Sequence, residues 1–342
     1  AFKPCPYVRH TFQLQGAIRS ARAYVTSHGL YELSLNGQRV GDQVFTPGFT
    51  SYHNRLQYQV YDVGELLTEG KNAVGAILGD GWYRGSVDVA SRRNVYGERL
   101  ALLLQIHVVY EDGRDELITS GQGWRAATGP IRMSDLKDGE VYDARLELPG
   151  WDRPGFDDSD WQDVRVCDYG YDNLVAPIGP PVRKREHFPG MRVLRTPNGE
   201  WVVDLGQNIA GWIYFEVEGP AGTTVTLTHG EALDAEGNFT MEHLQVIGLN
   251  ASLKQQVCYT LKGEGIETFE PHFTVHGFRY VKVEGWPGDP APEEFTGIAI
   301  YSDMAPTGTF ECSDERINQL QHNIIWSIKG NFLDVPTDCP TR

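Results

Sequence analysis

The chain has 342 residues, more than one ordinary hydrophobic core accommodates, so its length predicts two or three domains. With 40% hydrophobic and 22% charged residues its composition is that of a globular protein, and no apolar run is long enough to cross a bilayer as a helix. A formal net charge of −16 argues against nucleic acid or an anionic membrane as a partner and leaves room for a neutral ligand such as a sugar.

Residues 1–168 read as an antiparallel β-sandwich. Tyr31, Leu33 and Leu35 alternate, and Asn36-Gly37 supplies the positive-φ turn that a tight hairpin needs. The apolar run Leu100 to Tyr110 predicts a long strand, which Asp112-Gly113 turns back into one around Leu117 and Ile118. Two loops between these strands carry ligand-like chemistry: FTPGFTSYHNR (Phe45 to Arg55) and GDGWYRG (Gly79 to Gly85). Aromatic faces stack on the C–H patches of a sugar while Asn, Asp and Arg bond its hydroxyls, which nominates Asn54, Trp82, Tyr83 and Arg84. The competing reading places Trp82 and Tyr83 in the core at a strand end. The turn-rich segment Gly150 to Val164 reads as the closing edge of this domain, with Trp151 and Trp161 structural. Residues 169–181, with Pro177, Pro180 and Pro181, read as a linker.

Residues 182–307 predict a second antiparallel sandwich. Trp201-Val202-Val203 leads into DLGQNIAGW, and HGFRYVKVEG alternates Arg279, Val281 and Val283 with Phe278, Tyr280 and Lys282, a strand covered on both faces. Residues 308–342 change character. A helix is expected over Asp314 to Lys329, capped by Ser313, with Ile317, Leu320, Ile324 and Ile328 on one face and Gly330 beyond its end. A lone helix of this length is marginal in water, so the stripe needs a partner surface, and a dimer through this helix is one expectation.

Catalytic and metal motifs are sparse. Asp334 and Asp338 are two carboxylates four residues apart, as an inverting glycosidase needs at about 6.5–9.5 Å. Pro336 interrupts any shared helix, and no apolar pocket is evident to raise one pKa, so an acid–base pair is disfavoured. Glu231, Asp234 and Glu236 lack the alternating ligand spacing of a calcium loop and read as a solvated turn. His229, His243, His272 and His276 lack zinc spacing, and neither a phosphate loop nor a GxSxG elbow is present. Five scattered cysteines without a CxxC pair read as reduced thiols. The opening AFKPCP has no charged-then-apolar leader, so the expected location is cytoplasmic, or outside the cell if a leader was removed.

Five stretches are distinctive together: YELSLNGQRVGD, GDGWYRG, DLGQNIAGW, HGFRYVKVEG and VPTDCPTR. Through them the chain resembles bacterial α-L-rhamnosidases over nearly its whole length. The resemblance implies a mainly β chain of two jelly-roll-like antiparallel sandwiches followed by the first helix of a helical (α/α) barrel. It implies hydrolysis of terminal α-L-rhamnosides with inversion by the parent enzyme, with no organic cofactor. The general acid is expected in a DERxGW stretch beyond Arg342, so the chain alone is expected to be inactive. Asp338 matches the aspartate of VPTDCP that bonds sugar hydroxyls, and Arg342 matches the arginine of the same segment. Some members carry a calcium-dependent rhamnose-binding module, which would nominate Asn54 and Asn94; here His53 stands where an aspartate is expected, which disfavours calcium. The alternative is a non-catalytic carbohydrate-binding module using Asn54, Trp82, Tyr83, Arg84 and Asn94. In a third reading the sandwiches only buttress the barrel.

Overall fold

The computed structural model describes residues 2–87, 92–244 and 254–339. They divide into two units. The first is built from the residues up to Val87 with Arg93–Ser134 and Leu146–Ile178, and the second from Asp135–Arg145 with the residues from Gly179 on.

The first unit holds a six-stranded and a four-stranded sheet, both antiparallel. The larger runs in the spatial order Gln162–Asp163, Arg125–Thr128, Pro6–Leu14, Gly70–Gly79, Leu30–Leu35, Gln38–Arg39. The smaller runs Gln59–Asp62, Ile18–His28, Ala101–Tyr110, Asp115–Thr119. Their facing side chains interleave in one core, Val8, Leu33, Val74 and Ala76 from the first against Ala23, Val25, Leu104 and Ile106 from the second. Asn36 (φ 51°) and Gly37 (φ 80°) both lie in the left-handed region, as the tight hairpin requires. Asn36 does more than turn the chain. Its amide donates to the Leu66 carbonyl and to Asn72 Oδ1 and accepts from Ala73 N, so a second loop is tied to the turn.

Arg9 fastens the Gly150 to Val164 segment. Its buried guanidinium donates to the carbonyls of Trp151 (2.7 Å) and Arg153 (3.1 Å) and pairs with Asp158. Trp151 meets Tyr7 edge-on at 5.0 Å and stacks on Trp161, in keeping with a structural role for both tryptophans.

In the second unit the strand Trp201–Glu218 is the spine. Its first half pairs with Arg192–Arg195 and the end of His276–Glu284, and its second half with Ile266–Phe269 and Phe295–Ser302. The register breaks between Asp204 and Ile209, a bulge in which Gly206 takes φ 73°. The bulge curls the sheet around the core of Val203, Phe215, Leu227, Tyr259, Phe278 and Val281. The DLGQN stretch therefore marks a bend.

The helix spans Glu315–Gly330, and Asp314 rather than Ser313 caps it, accepting from Arg316 N at 2.9 Å. Asp314 wins because its carboxylate also pairs with the Arg316 guanidinium and favours the positive helix end. Two more boundaries differ from expectation. Residues 135–145 lie in the second unit, where Gly139–Asp143 pairs in parallel with Gln256–Thr260. Residues 169–178 lie in the first unit rather than acting as a spacer. Leu174–Val175 pairs in parallel with Leu56–Gln57, and Leu174 packs on Tyr52, Leu56 and Tyr83.

Candidate functional site

Two places carry candidate chemistry, one in each unit. In the first unit, Asp80 begins a single helical turn, Gly81–Arg84, and Gly81 adopts φ 51°. Arg84 is only 6% exposed, because it folds back to bond the buried Asp80 carboxylate (Nε–Oδ1 2.8 Å) that Arg93 also pairs with. It therefore holds the loop in place, and its guanidinium is not presented as an outward sugar donor. Trp82 is half-buried, stacked on Phe49 at 5.4 Å and edge-on to Phe45. Asn54 and Asn94 are exposed at separate turns, where Asn54 donates to Ser51 Oγ and Asn94 sits at φ 60°.

Tyr83 points the other way, into the wall of a cavity of about 750 Å³. His28 stacks on Tyr83 at 4.6 Å and meets Tyr169 edge-on at 4.6 Å. Tyr52 lies edge-on to both Tyr83 and Tyr96, and His53 leans on Tyr96 at 5.6 Å. Polar groups share the lining, among them Ser27, Arg99 and Asn173. Burial, and secondarily His53, lowers the His28 pKa; burial, then Tyr169, raises that of Tyr83. Both rings are therefore neutral near pH 7. A space of this size, with aromatic faces, hydroxyl and amide tips and the charged groups Arg99, Asp163, Arg165 and Asp168 also in its lining, can take a polyhydroxylated ligand.

Tyr52, His53 and Tyr83 of this lining lie in the loops Phe45 to Arg55 and Gly79 to Gly85 that the sequence singles out, whereas His28, Tyr96 and Tyr169 lie outside them. The only local signal for the last was the aromatic cluster Tyr169 and Tyr171 in a tract expected to be a linker, and these rings are 53% and 67% exposed. Among the described residues no three His, Cys, Asp or Glu side chains gather as metal ligands.

In the second unit the VPTDCP segment begins in a small hairpin, its Val335–Pro336 pairing with Phe332–Leu333 across a turn at Asp334 (φ 69°). Asp334 N donates to Ser302 Oγ at 2.8 Å, and Thr337 N donates to the Asn331 carbonyl at 2.8 Å, so the tail is pinned as far as Thr337. Asp338 is exposed and accepts from the Cys339 thiol. Arg342 lies outside the described residues. The helix before this tail docks through Trp326, edge-on to Phe188 at 5.3 Å, and through Lys329, which binds Glu186 beneath Tyr301. Ile317, Leu320, Ile324 and Ile328 remain 44–57% exposed.

Comparison with known proteins divides the chain into three successive segments. Residues 16–186 match the alpha-L-rhamnosidase N-terminal domain, 194–301 the bacterial alpha-L-rhamnosidase concanavalin-like domain, and 305–342 the bacterial alpha-L-rhamnosidase 6 hairpin glycosidase domain. An alpha-L-rhamnosidase of Streptomyces avermitilis is 46% identical over 337 residues, which are 98% of this chain and 32% of that protein. One of Formosa agariphila is 34% identical over 343 residues, covering 98% and 36%. The crystal structure of the Streptomyces avermitilis enzyme complexed with L-rhamnose matches with a TM-score of 0.95 at 45% identity, over 100% of this chain and 33% of that one. The native enzyme from Aspergillus terreus matches with a TM-score of 0.96 at 41% identity, over 100% and 39%. The chain spans about a third of the length of the curated relatives it matches.

Proposed function

The chain belongs to the bacterial α-L-rhamnosidase family, and from that membership we propose that it is the accessory leading part of an enzyme that hydrolyses terminal α-L-rhamnosides with inversion. The carrying observation is the family match over three successive segments, of which the glycosidase segment covers only residues 305–342. In this reading water attacks the anomeric carbon with a general base, while an acid outside these residues protonates the leaving oxygen. Asp338 and Arg342 contribute hydroxyl contacts, and the chain alone turns over nothing. Incubating the purified 342-residue chain with an aryl α-L-rhamnoside tests this: no release of the phenol is expected, and measurable turnover would refute it.

The aromatic cavity favours a second reading, in which the first unit binds carbohydrate without catalysis. Calorimetric titration with L-rhamnose, with calcium and again with chelator, separates the two. Saturable binding that persists in chelator supports a calcium-independent sugar site in the cavity, whereas silence in both leaves the first unit a scaffold.

A further inference from the structure

The second unit contains a buried polar cluster that the proposed activity does not use. His229, on Thr224–Gly230, and His276, at the start of His276–Glu284, are both 0% exposed, and their rings stack at 4.5 Å. His229 Nδ1 lies 2.9 Å from the Gln255 carbonyl, an acceptor, so Nδ1 carries the proton and Nε2 is bare. Thr274 gives its only hydroxyl hydrogen to the Leu136 carbonyl at 3.0 Å, so it accepts from His276 Nε2 at 3.3 Å and leaves Nδ1 of that ring bare. Among the described residues neither bare nitrogen has a partner, and nor does Gln255 Oε1. Three acceptors are thus buried together without a donor among the described residues.

Gln255 itself stands at φ 46°, a left-handed conformation costly for a side chain of its kind. Three hydrogen bonds hold it there: His229 N and Nδ1 to its carbonyl, and its own amide to the His229 carbonyl at 3.1 Å. Charged groups on the surrounding elements are engaged elsewhere. Glu140 accepts from the backbone of His272 and Phe273, Asp138 from Lys254 N, and Glu231 from Asn208. Lys282 pairs with Glu284, and Asp204 with Arg279. No carboxylate among the described residues pairs with either ring, so an imidazolium formed here would sit uncompensated against a second imidazole.

We propose that the His229–His276 stack is an acid-operated catch: while both rings are neutral it locks Gln255 onto the Thr224–Gly230 strand, and protonation of either ring releases it. Burial, slightly offset by the Gln255 carbonyl, pushes His229 down to about 4, and burial with its neighbour lowers His276 well below the ordinary value. A released ring regains a pKa of about 6.5. Opening that exposes His229 alone therefore becomes about 30-fold more favourable at pH 5.0 than at pH 7.5.

Hydrogen exchange at the His229 amide, corrected for the intrinsic pH dependence, reads this opening in the intact chain. Protection is expected to fall by at least tenfold from pH 7.5 to 5.0, while amides of the first-unit strand Gly70–Gly79 keep theirs. Equal protection at the two pH values overturns the proposal. An NMR titration of the ring C–H signals, which needs no variant, gives the second reading. In the closed chain His229 should stay neutral down to about pH 5 and His276 should titrate well below its ordinary range, and titration of either near 6.5 with the His229 amide still protected overturns the catch.

Discussion

Replacing Asp204 with Asn tests whether the bulge in the DLGQN stretch is held electrostatically. The Asp204 side chain is 2% exposed and accepts from Arg279 Nε (2.8 Å) and Nη2 (3.2 Å), from Arg192 Nε (3.1 Å) and Nη2 (3.0 Å), and from Gly206 N (2.8 Å). The Asn carbonyl keeps one acceptor, but its NH₂ turns two hydrogens toward a guanidinium. Hydrogen bonds to a charged group contribute about 1.5–3 kcal/mol each. Arg192 and Arg279 are 63% and 36% exposed, however, so water recovers much of that. A net loss of about 2–3 kcal/mol remains. Urea unfolding, with the second unit followed by amide protection along Trp201–Glu218, gives the value, and pairing the change with Arg279→Gln closes a double-mutant cycle. Burial alone would raise the Asp204 pKa, but the bonds from Arg279, Gly206 and Arg192 outweigh it and hold the group below the usual carboxylate range. The advantage of wild type over Asp204→Asn should thus be full above the unfolded Asp value of about 3.9 and shrink as pH falls through the lower folded value. A loss under about 0.5 kcal/mol, or additive single effects, would refute an electrostatic clamp.

Two further outcomes follow from exposed and crowded positions. The half-exposed stripe of Ile317, Leu320, Ile324 and Ile328 should make the chain self-associate with rising concentration, and Leu320→Lys with Ile324→Lys should abolish this in sedimentation velocity; a chain monomeric at all concentrations contradicts it. A Cβ at position 97 would lie 2.3 Å from the Tyr83 hydroxyl, so Gly97→Ala should push that ring into the cavity. Sugar binding seen by calorimetry should then weaken at least tenfold with little change in melting temperature, and unchanged binding would move the ligand away from Tyr83.

The parts of the fold legible in advance are those written in short-range pattern. Leu30–Leu35 with its Asn36-Gly37 turn needs only alternation and two positive φ angles, and the helix needs only its three-to-four spacing. Distant partners leave no such trace. Asp204 and Arg279 belong to two stretches noticed separately, yet 75 residues divide them, and nothing local says that one neutralises the other. The cavity likewise gathers His28, Tyr83 and Tyr169 from far-apart positions. Arg84, a charged residue between glycines, has the local signature of a surface donor, whereas Asp80 one turn earlier draws it inward. His229 and His276 lacked metal spacing, and their juxtaposition comes only from strand pairing, His229 opposite Val281 and His276 opposite Gly211.

The placement of Asp135–Arg145 has a consequence for how this protein can be divided. The chain leaves the first unit, lays Gly139–Asp143 beside Gln256–Thr260, and returns for Leu146–Ile178. Gly139, at φ 120°, has no room for a methyl group, since a Cβ there would lie 1.7 Å from the Gln256 carbonyl oxygen. A single cut near residue 178 would therefore carry away a strand whose hydrogen-bonding partner stays behind, leaving one piece with a loose edge and the other with a gap. Moving either unit into another protein therefore requires the excursion to be excised or its partner to be brought along.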